Sequence, residues 1–426
     1  MRRLLQPAIA LALAGAATAQ QPMHLTLPAA EQLALKNNPA ISAAVFTARA
    51  AAQAPAELRS GLQPTIFGSV TGVGADSGSR LAAGALNNPV VYNRLGTGLT
   101  VNQLITDFGR TASLVESASF HAAAEDQIAE SVRANVVLQT ARAYFAVLRA
   151  RSVLTVAQQT VSARQLVSDQ VTQLAQSNLK SQLDVSFANV NLAQAKISLS
   201  AAQNDLSSAT AQLAAALGLP QQRDFNLEEE PNPPAMSETD ADYIRDAIAK
   251  RPELANLRLE VSAAERGLHA ERALSYPTIG AIGTAGFVPA GESNVPGRYG
   301  AIGVNLSIPI FNGGLFRARR TEAELRLQAA GRRVEDLANR IVRDVRMAWL
   351  DARTAFEQVG LTQQLLDQSK LALDLAQGRY QLGLSSIIEL SQAQLNFTSA
   401  QIANAGAKFN YESQLSFLAY QAGTQR

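Results

Sequence analysis

SNLKSQLDV, Ser177 to Val185, returns 205 residues later as LGLSSIIEL, Leu382 to Leu390. In both copies a residue that tolerates the left-handed backbone, Asn178 or Gly383, precedes an acid, Asp184 or Glu389. Asn and Gly in that conformation are what end a helix sharply. The same shift carries Tyr144 onto Trp349, Asn191 onto Asn396 and Gly218 onto Gly423. Upstream the shift is 213, taking LALKNNPAI, which ends at Ile41, onto DAIAKRPEL, which ends at Leu254, and Pro64-Thr65 onto Pro277-Thr278. The chain therefore reads as a tandem duplication, and self-similarity on this scale fixes architecture. The eight-residue difference (213 − 205) falls between those prolines and Gly109 and Gly314, so each repeat holds one rigid stretch and one length-variable stretch.

The rigid stretch is helical. Residues 110 to 217 contain neither glycine nor proline over 108 positions, and no proline follows Pro309. Leu192, Leu199, Leu206 and Leu213 recur every seven residues, each followed three positions later by Ala195, Ala202, Ala209 or Ala216. That is a coiled-coil seam in which alanine lets a neighbouring helix come close. Val147, Leu154 and Val161 continue a weaker heptad upstream. One helix of 108 residues would be about 160 Å long. The Asn178 and Gly383 segments therefore predict breaks, giving a helix of roughly 65 residues and a shorter returning helix in each repeat.

The variable stretch reads as strands. Ile302, Val304, Leu306 and Ile308 alternate with Ala301, Gly303, Asn305 and Ser307 between Gly300 and Ile310. The shifted partner sets Leu99 and Val101 against Thr100 and Asn102, a period of two. Pro64 to Val73 and Pro277 to Phe287 open two hairpins, with a long polar loop at Gly74 to Asn93 and a shorter one at Pro289 to Arg298. Ten-residue strands of this kind resemble outer-membrane barrel strands. Four of them cannot close a barrel, and open edges are forbidden in lipid, so several chains must share one barrel.

The first residues, MRRLLQPAIALALAGAATA, combine Arg2 and Arg3, an apolar run and the small-x-small site Ala17-Thr18-Ala19, which is the pattern of a secretory signal peptide. The run is too short for a comfortable membrane anchor. Without residues 1–19 the 37 basic side chains fall to 35 against 35 acidic ones. A neutral mature chain gives no support for nucleic-acid binding. With no cysteine in the sequence, disulfides, thiolate metal sites and lipid attachment at a cysteine after the signal are excluded. Charged residues make up 17% of the chain, below the roughly 25% of soluble domains, which suits closely packed helices or surfaces facing lipid. The organisation that follows is a signal peptide at 1–19, repeat 1 at 20–219, a linker at 220–238 and repeat 2 at 239–426. Barrel hairpins fall at about 64–109 and 277–314, and helical hairpins at about 110–217 and 315–422 with tips near 178 and 383. The linker carries Glu228, Glu229 and Glu230 among four prolines and reads as an extended, solvated connector, with a functional acidic patch as the other reading.

Taken together, the signal, duplicated hairpins, long coiled coils and paired tips resemble the outer-membrane efflux protein family over essentially the whole mature chain. The specific segments are LALKNNPAI, the FNGG run from Phe311 to Gly314, and YQLGLSSIIELSQAQ from Tyr380 to Gln394. The resemblance implies a mainly α, TolC-like fold with a β-barrel membrane part, in which each chain gives four barrel strands, two long helices and two pairs of shorter ones. It implies a homotrimer with a twelve-stranded barrel in outer-membrane lipid and a twelve-helix periplasmic tunnel, docked to a periplasmic adaptor (membrane fusion) protein and an inner-membrane pump. The location implied is the Gram-negative outer membrane, extending into the periplasm.

By the same resemblance, Glu389 rings the periplasmic entrance, where three carboxylates attract cations, while Gln392 stands where a second acid would be. The closing latch maps onto Asp184 and Tyr380. Ser385 occupies the place of the family's latch arginine, which leaves Asp184 without an arginine unless Lys180 reaches across. Adaptor docking maps onto Asn178-Leu179 and Gly383-Leu384. A plain alternative for Asp184 and Glu389 is a solvated charge favoured near a helix start.

Catalysis finds no footing in these residues. His24, His121 and His269 are scattered, and the chain has no HExxH pair, GxSxG elbow or phosphate-binding glycine loop. No cofactor is expected. The function expected is a passive exit duct for small molecules, with a type I protein secretion duct and a periplasmic coiled-coil spacer or adaptor as the alternatives. Four methionines and no cysteine weigh against export of soft metals.

Overall fold

The computed structural model describes residues 23–80, 90–220, 225–229, 236 and 239–425. The signal-peptide reading, Glu230 and most of the proline-rich linker lie outside the described residues. The elements run β1 (Met23–Leu25), α1 (Leu27–Asn37), α2 (Pro39–Ala51), α3 (Ala54–Ser60), β2 (Thr65–Val73), β3 (Arg94–Thr106), α4 (Arg110–Gln176) and α5 (Gln182–Ala216). They continue with β4 (Phe225–Leu227), α6 (Ala241–Lys250), α7 (Pro252–Ala273), β5 (Thr278–Gly291), β6 (Arg298–Ser307), α8 (Leu315–Gln381) and α9 (Ile387–Gln421). The long helices α4 and α8 have 67 residues each, and the returning helices α5 and α9 have 35 each. None of the described helices is both long and apolar enough to cross a membrane.

Contacts divide the chain into two compact units, Met1–Asn38 with Gln139–Ala235 and Ala355–Ser413, and Pro39–Leu138 with Met236–Thr354 and Gln414–Arg426. The second unit holds an antiparallel sheet in the order β2-β3-β5-β6. Its register sets Ile66, Val101, Gly283 and Ile302 in one row across the four strands. The next row, of opposite face, is Thr65, Asn102, Ile282 and Gly303. Ile302 is 90% exposed, and Ile66, Val70, Leu99, Val304 and Leu306 are exposed as well, so among the described residues little covers these apolar side chains. β6 stops at Ser307 instead of reaching Ile310, because Pro309 has no N–H to give a ladder. β5 runs past Phe287 to Gly291. β5 and β6 are connected by residues 292–297; of the 74–93 connection between β2 and β3, residues 81–89 lie outside the described residues.

Helices of this unit pack through Ala247, Leu254, Ile341 and Val345, and through Ala348, Ala352 and Leu418. Leu268 in the unbroken helix α7 stands at the place of Pro55, where the first copy is split into α2 and α3. Proline removes the hydrogen bond to the carbonyl four residues back and clashes with it, which accounts for the split. Arg251 caps the corner after α6: Nη1 donates to Gln421 Oε1 at 2.8 Å and Nε to Glu253 Oε2 at 3.2 Å. Ser131 also donates to Glu253, at 3.2 Å. Burial raises the Glu253 pKa, but the Arg251 hydrogen bond and charge outweigh it and hold the carboxyl below its ordinary value.

In the first unit, β1 and β4 pair in parallel, Met23 to Phe225 through Leu25 to Leu227. The linker is thus extended here, with Phe225 and Leu227 buried while Asn226, Glu228 and Glu229 stay exposed. Fully buried Tyr144 donates its hydroxyl to Leu25 O at 3.0 Å and Glu228 O at 2.6 Å, which fixes the strand pair to α4. Glu229 meets Lys408 at 2.8 Å. Asn38 donates its amide to Ala216 O at 3.0 Å. Gly218 lies beside this contact with φ 69°, where an added Cβ would be 2.7 Å from Asn37 O; any other residue would push the corner apart. Along α5 the alanines Ala195, Ala202 and Ala209 are buried, whereas Leu199 and Leu206 are half covered. Close approach is thus made at the alanines together with Leu192 and Leu213, which are buried as deeply.

Candidate functional site at the paired helical turns

α4 ends at Gln176 and the chain turns through Asn178 at φ 58°. Leu179 N donates to Leu174 O at 2.8 Å and Asn178 N to Ala175 O at 3.0 Å, the paired bonds of a Schellman end. α8 ends in the same way. Gly383 has φ 74°, Leu384 N donates to Arg379 O at 2.8 Å and Gly383 N to Tyr380 O at 3.1 Å. Both turns leave apolar side chains in the open, Leu179 on one and Leu382 and Leu384 on the other. Beneath them Val171, Val185, Ala188, Ile387 and Leu390 form a buried cluster joined by Val167, Leu373 and Tyr380. The two turns are therefore one packed object within this unit.

Each returning helix starts on a serine. Ser181 Oγ accepts from Asp184 N at 3.2 Å, and Asp184 Oδ2 accepts from Ser181 N at 3.0 Å and Oγ at 2.8 Å, a complete capping box. Ser386 Oγ accepts from Glu389 N at 3.3 Å. The Glu389 carboxylate, however, meets Arg379 Nε at 3.1 Å. Arg379 also donates to Leu384 O at 3.5 Å. The arginine at this turn thus stands four residues before Gly383 and not two after it, where the family pattern places one and this chain has Ser385. Two S-x-x-acid signatures, Ser181 to Asp184 and Ser386 to Glu389, are the sequence signal for capping boxes; the first forms the whole box and the second only its serine half.

Lys180 turns to the second repeat's ring and not to Asp184: its Nζ lies 4.2 Å from the centroid of the Tyr380 ring, within cation–π range. It does not pair with Asp184 in this unit, where the acid is taken up by the cap. Burial first, and the negative charge of Asp184 second, push the Tyr380 phenol above its ordinary value. Its hydroxyl and the Ser385 hydroxyl are both buried without a hydrogen-bond partner. Such groups are costly to leave unmet. Gln392 is exposed, and its amide donates to Asn396 Oδ1 at 2.9 Å. The structure thus gathers Lys180, Tyr380, Arg379 and Glu389 about the two turns, while Gln392 lies one helical turn further along.

Residues 30–219 and 243–424 match the family described as outer membrane efflux protein. The chain is 26% identical to the outer membrane protein TolC of Escherichia coli K12, over 96% of this chain and 84% of TolC. It is 25% identical to the outer membrane efflux protein BepC of Brucella suis, over 91% of this chain and 82% of BepC. Among solved structures, a membrane protein from Pseudomonas aeruginosa superposes with a TM-score of 0.81 at 23% identity, covering 93% of each chain. The structural likeness extends to further channels of this fold, CmeC of Campylobacter jejuni among them, with a TM-score of 0.78 at 20% identity over 93% of this chain and 85% of CmeC. A match over both repeats, together with the four-stranded sheet and the long helices, makes the assignment: the chain belongs to the outer membrane efflux protein family.

Proposed function

We propose that this efflux channel works as a homotrimer, the exit duct of a tripartite export system for small molecules. The observation that carries this reading is a four-stranded sheet whose outer strands β2 and β6 have no further strand partner among the described residues and whose apolar side chains are largely exposed. Every backbone group in lipid must be satisfied, so β2 of one copy pairs with β6 of the next. Three copies of four strands close a twelve-stranded barrel, and three copies of α4, α5, α8 and α9 continue it as a twelve-helix tunnel. An inner-membrane pump supplies the driving force through a periplasmic adaptor, which grips the bare leucines Leu179 and Leu384 beside Asn178 and Gly383.

The turns form the periplasmic entrance. Glu389 faces the mouth with part of its charge compensated by Arg379, so the resting duct is only mildly cation-selective. The latch is made by Tyr380 and Ser385, whose unmet hydroxyls find partners on the neighbouring copy, with Lys180 and Asp184 beside them. Purified protein added to planar lipid bilayers should give stepwise single-channel currents. Absence of any conductance from protein that inserts into the same lipid would overturn the duct. In cells, Gly383→Cys should cross-link to the adaptor; cross-links found only at sites remote from both turns would move the docking surface.

A further inference from the structure

A cavity of about 390 Å³ opens between α4, α5 and α9, one helical stretch away from the turns. That is the size at which protein cavities hold small organic ligands. Among the residues that line it, Arg164 is the single charged one. Arg164 is 8% exposed, and its Nη1 donates to Gln394 Oε1. No carboxylate lines the cavity. Burial lowers the pKa of the guanidinium. A cation withdrawn from water without a counter-charge is expensive. The remaining N–H groups of a planar fork are matched to a carboxylate or phosphate oxygen pair.

The rest of the lining explains what else such a ligand carries. Phe187, Ile388 and Leu395 present apolar surface to the same space, with buried Ala157 and Ala195 behind. The polar neighbours are largely committed: Asn191 Nδ2 donates to Ser391 Oγ at 2.9 Å, Thr160 Oγ1 to Val156 O at 2.8 Å and Ser198 Oγ to Gln194 O at 3.1 Å. The anion-binding capacity is therefore concentrated on one guanidinium at the side of an apolar slot. We infer that this cavity binds a small amphipathic anion, one carboxylate or phosphate ester on an aromatic or branched aliphatic body, with Arg164 holding the charged end. The inference concerns binding and not conduction, so either can fail while the other stands.

Fluorine NMR on the full chain in detergent tests it, with 4-(trifluoromethyl)benzoate as probe and the uncharged 4-(trifluoromethyl)benzamide as its isostere. The acid should bind about tenfold or more tightly than the amide, and Arg164→Gln should abolish that preference. Should Arg164→Gln fail to fold, Gln194→Trp fills the slot from its exposed edge while leaving the guanidinium in place, and it too should weaken acid binding about tenfold. Equal binding of acid and amide, or undiminished acid binding in Gln194→Trp, would overturn the inference. Inorganic phosphate at the probe's own concentration should displace little of it. Full displacement would replace the amphipathic ligand with a bare ion and overturn the assignment of the apolar slot.

Discussion

At the first turn Asp184 folds back onto the Ser181 backbone, whereas at the second turn Glu389, in the equivalent place, reaches out to Arg379. The backbones are near duplicates, with Asn178 and Gly383 both left-handed and both Schellman bonds made in each. The difference lies in where the cation sits. Leu174 occupies the position of Arg379 in the first repeat, and Ser385 that of Lys180 in the second. The first turn therefore keeps its acid for its own helix start and sends its lysine over the Tyr380 ring of the second. A duplicated frame has become an interlocked, unequal pair by exchanging two cations.

The largest effect should come from removing what the turns share. Leu390→Ala opens a cavity in the common cluster and should cost about 3 kcal/mol, seen as faster hydrogen exchange at both turns together; exchange at one turn only would show that they are separate objects. The corner network offers the same contrast of neutral and charged locks, Asn38 with Ala216 O in one copy and Arg251 with Glu253 and Gln421 in the other. Against burial, which raises it, the Arg251 hydrogen bond and charge hold the Glu253 carboxyl below its ordinary value in the folded chain. Its stabilisation is therefore present at neutral pH and is lost as pH falls through its depressed folded value. Glu253→Gln should cost about 2 kcal/mol at pH 7 and should flatten the acid limb of thermal melting curves.

Gly383→Ala places a side chain at φ 74° and should cost about 1 kcal/mol, while Asn178→Gly at the first turn should cost nothing measurable. Asp184→Ala removes half a capping box and should also cost about 1 kcal/mol. Smaller than the loss at Asp184, Glu389→Ala keeps the Ser386 cap and loses one exposed pair, for about 0.5 kcal/mol or less. Urea melts of the turn region by hydrogen exchange would rank these, and a larger loss for Glu389→Ala than for Asp184→Ala would invert the comparison. Arg379→Gln loses the same exposed pair and should likewise cost about 0.5 kcal/mol or less, and it should raise cation preference in bilayers, because it uncovers the Glu389 charge.

Much of this was readable before any coordinates. Helix ends at Asn178 and Gly383 follow from which residues accept a positive φ, and the Leu99 and Ile302 strands follow from a period of two. What escaped is contact made across a turn or between distant segments. Arg379 and Glu389 are ten residues apart on different helices, a spacing that no single-helix period reveals. Pairing of Met23–Leu25 with Phe225–Leu227 joins segments too short to carry a pattern of their own. Arg164 was within reach, since it follows Val161 by the same three residues that separate buried Ala157 from Leu154, which sets a cation into the heptad seam.

The native mass of the detergent-extracted protein bears most directly on all of this, because one copy has too little sheet to seal itself in lipid. Multi-angle light scattering should give a particle of three polypeptides, with little free single chain. A folded single chain that stays dispersed in buffer without detergent would contradict the account.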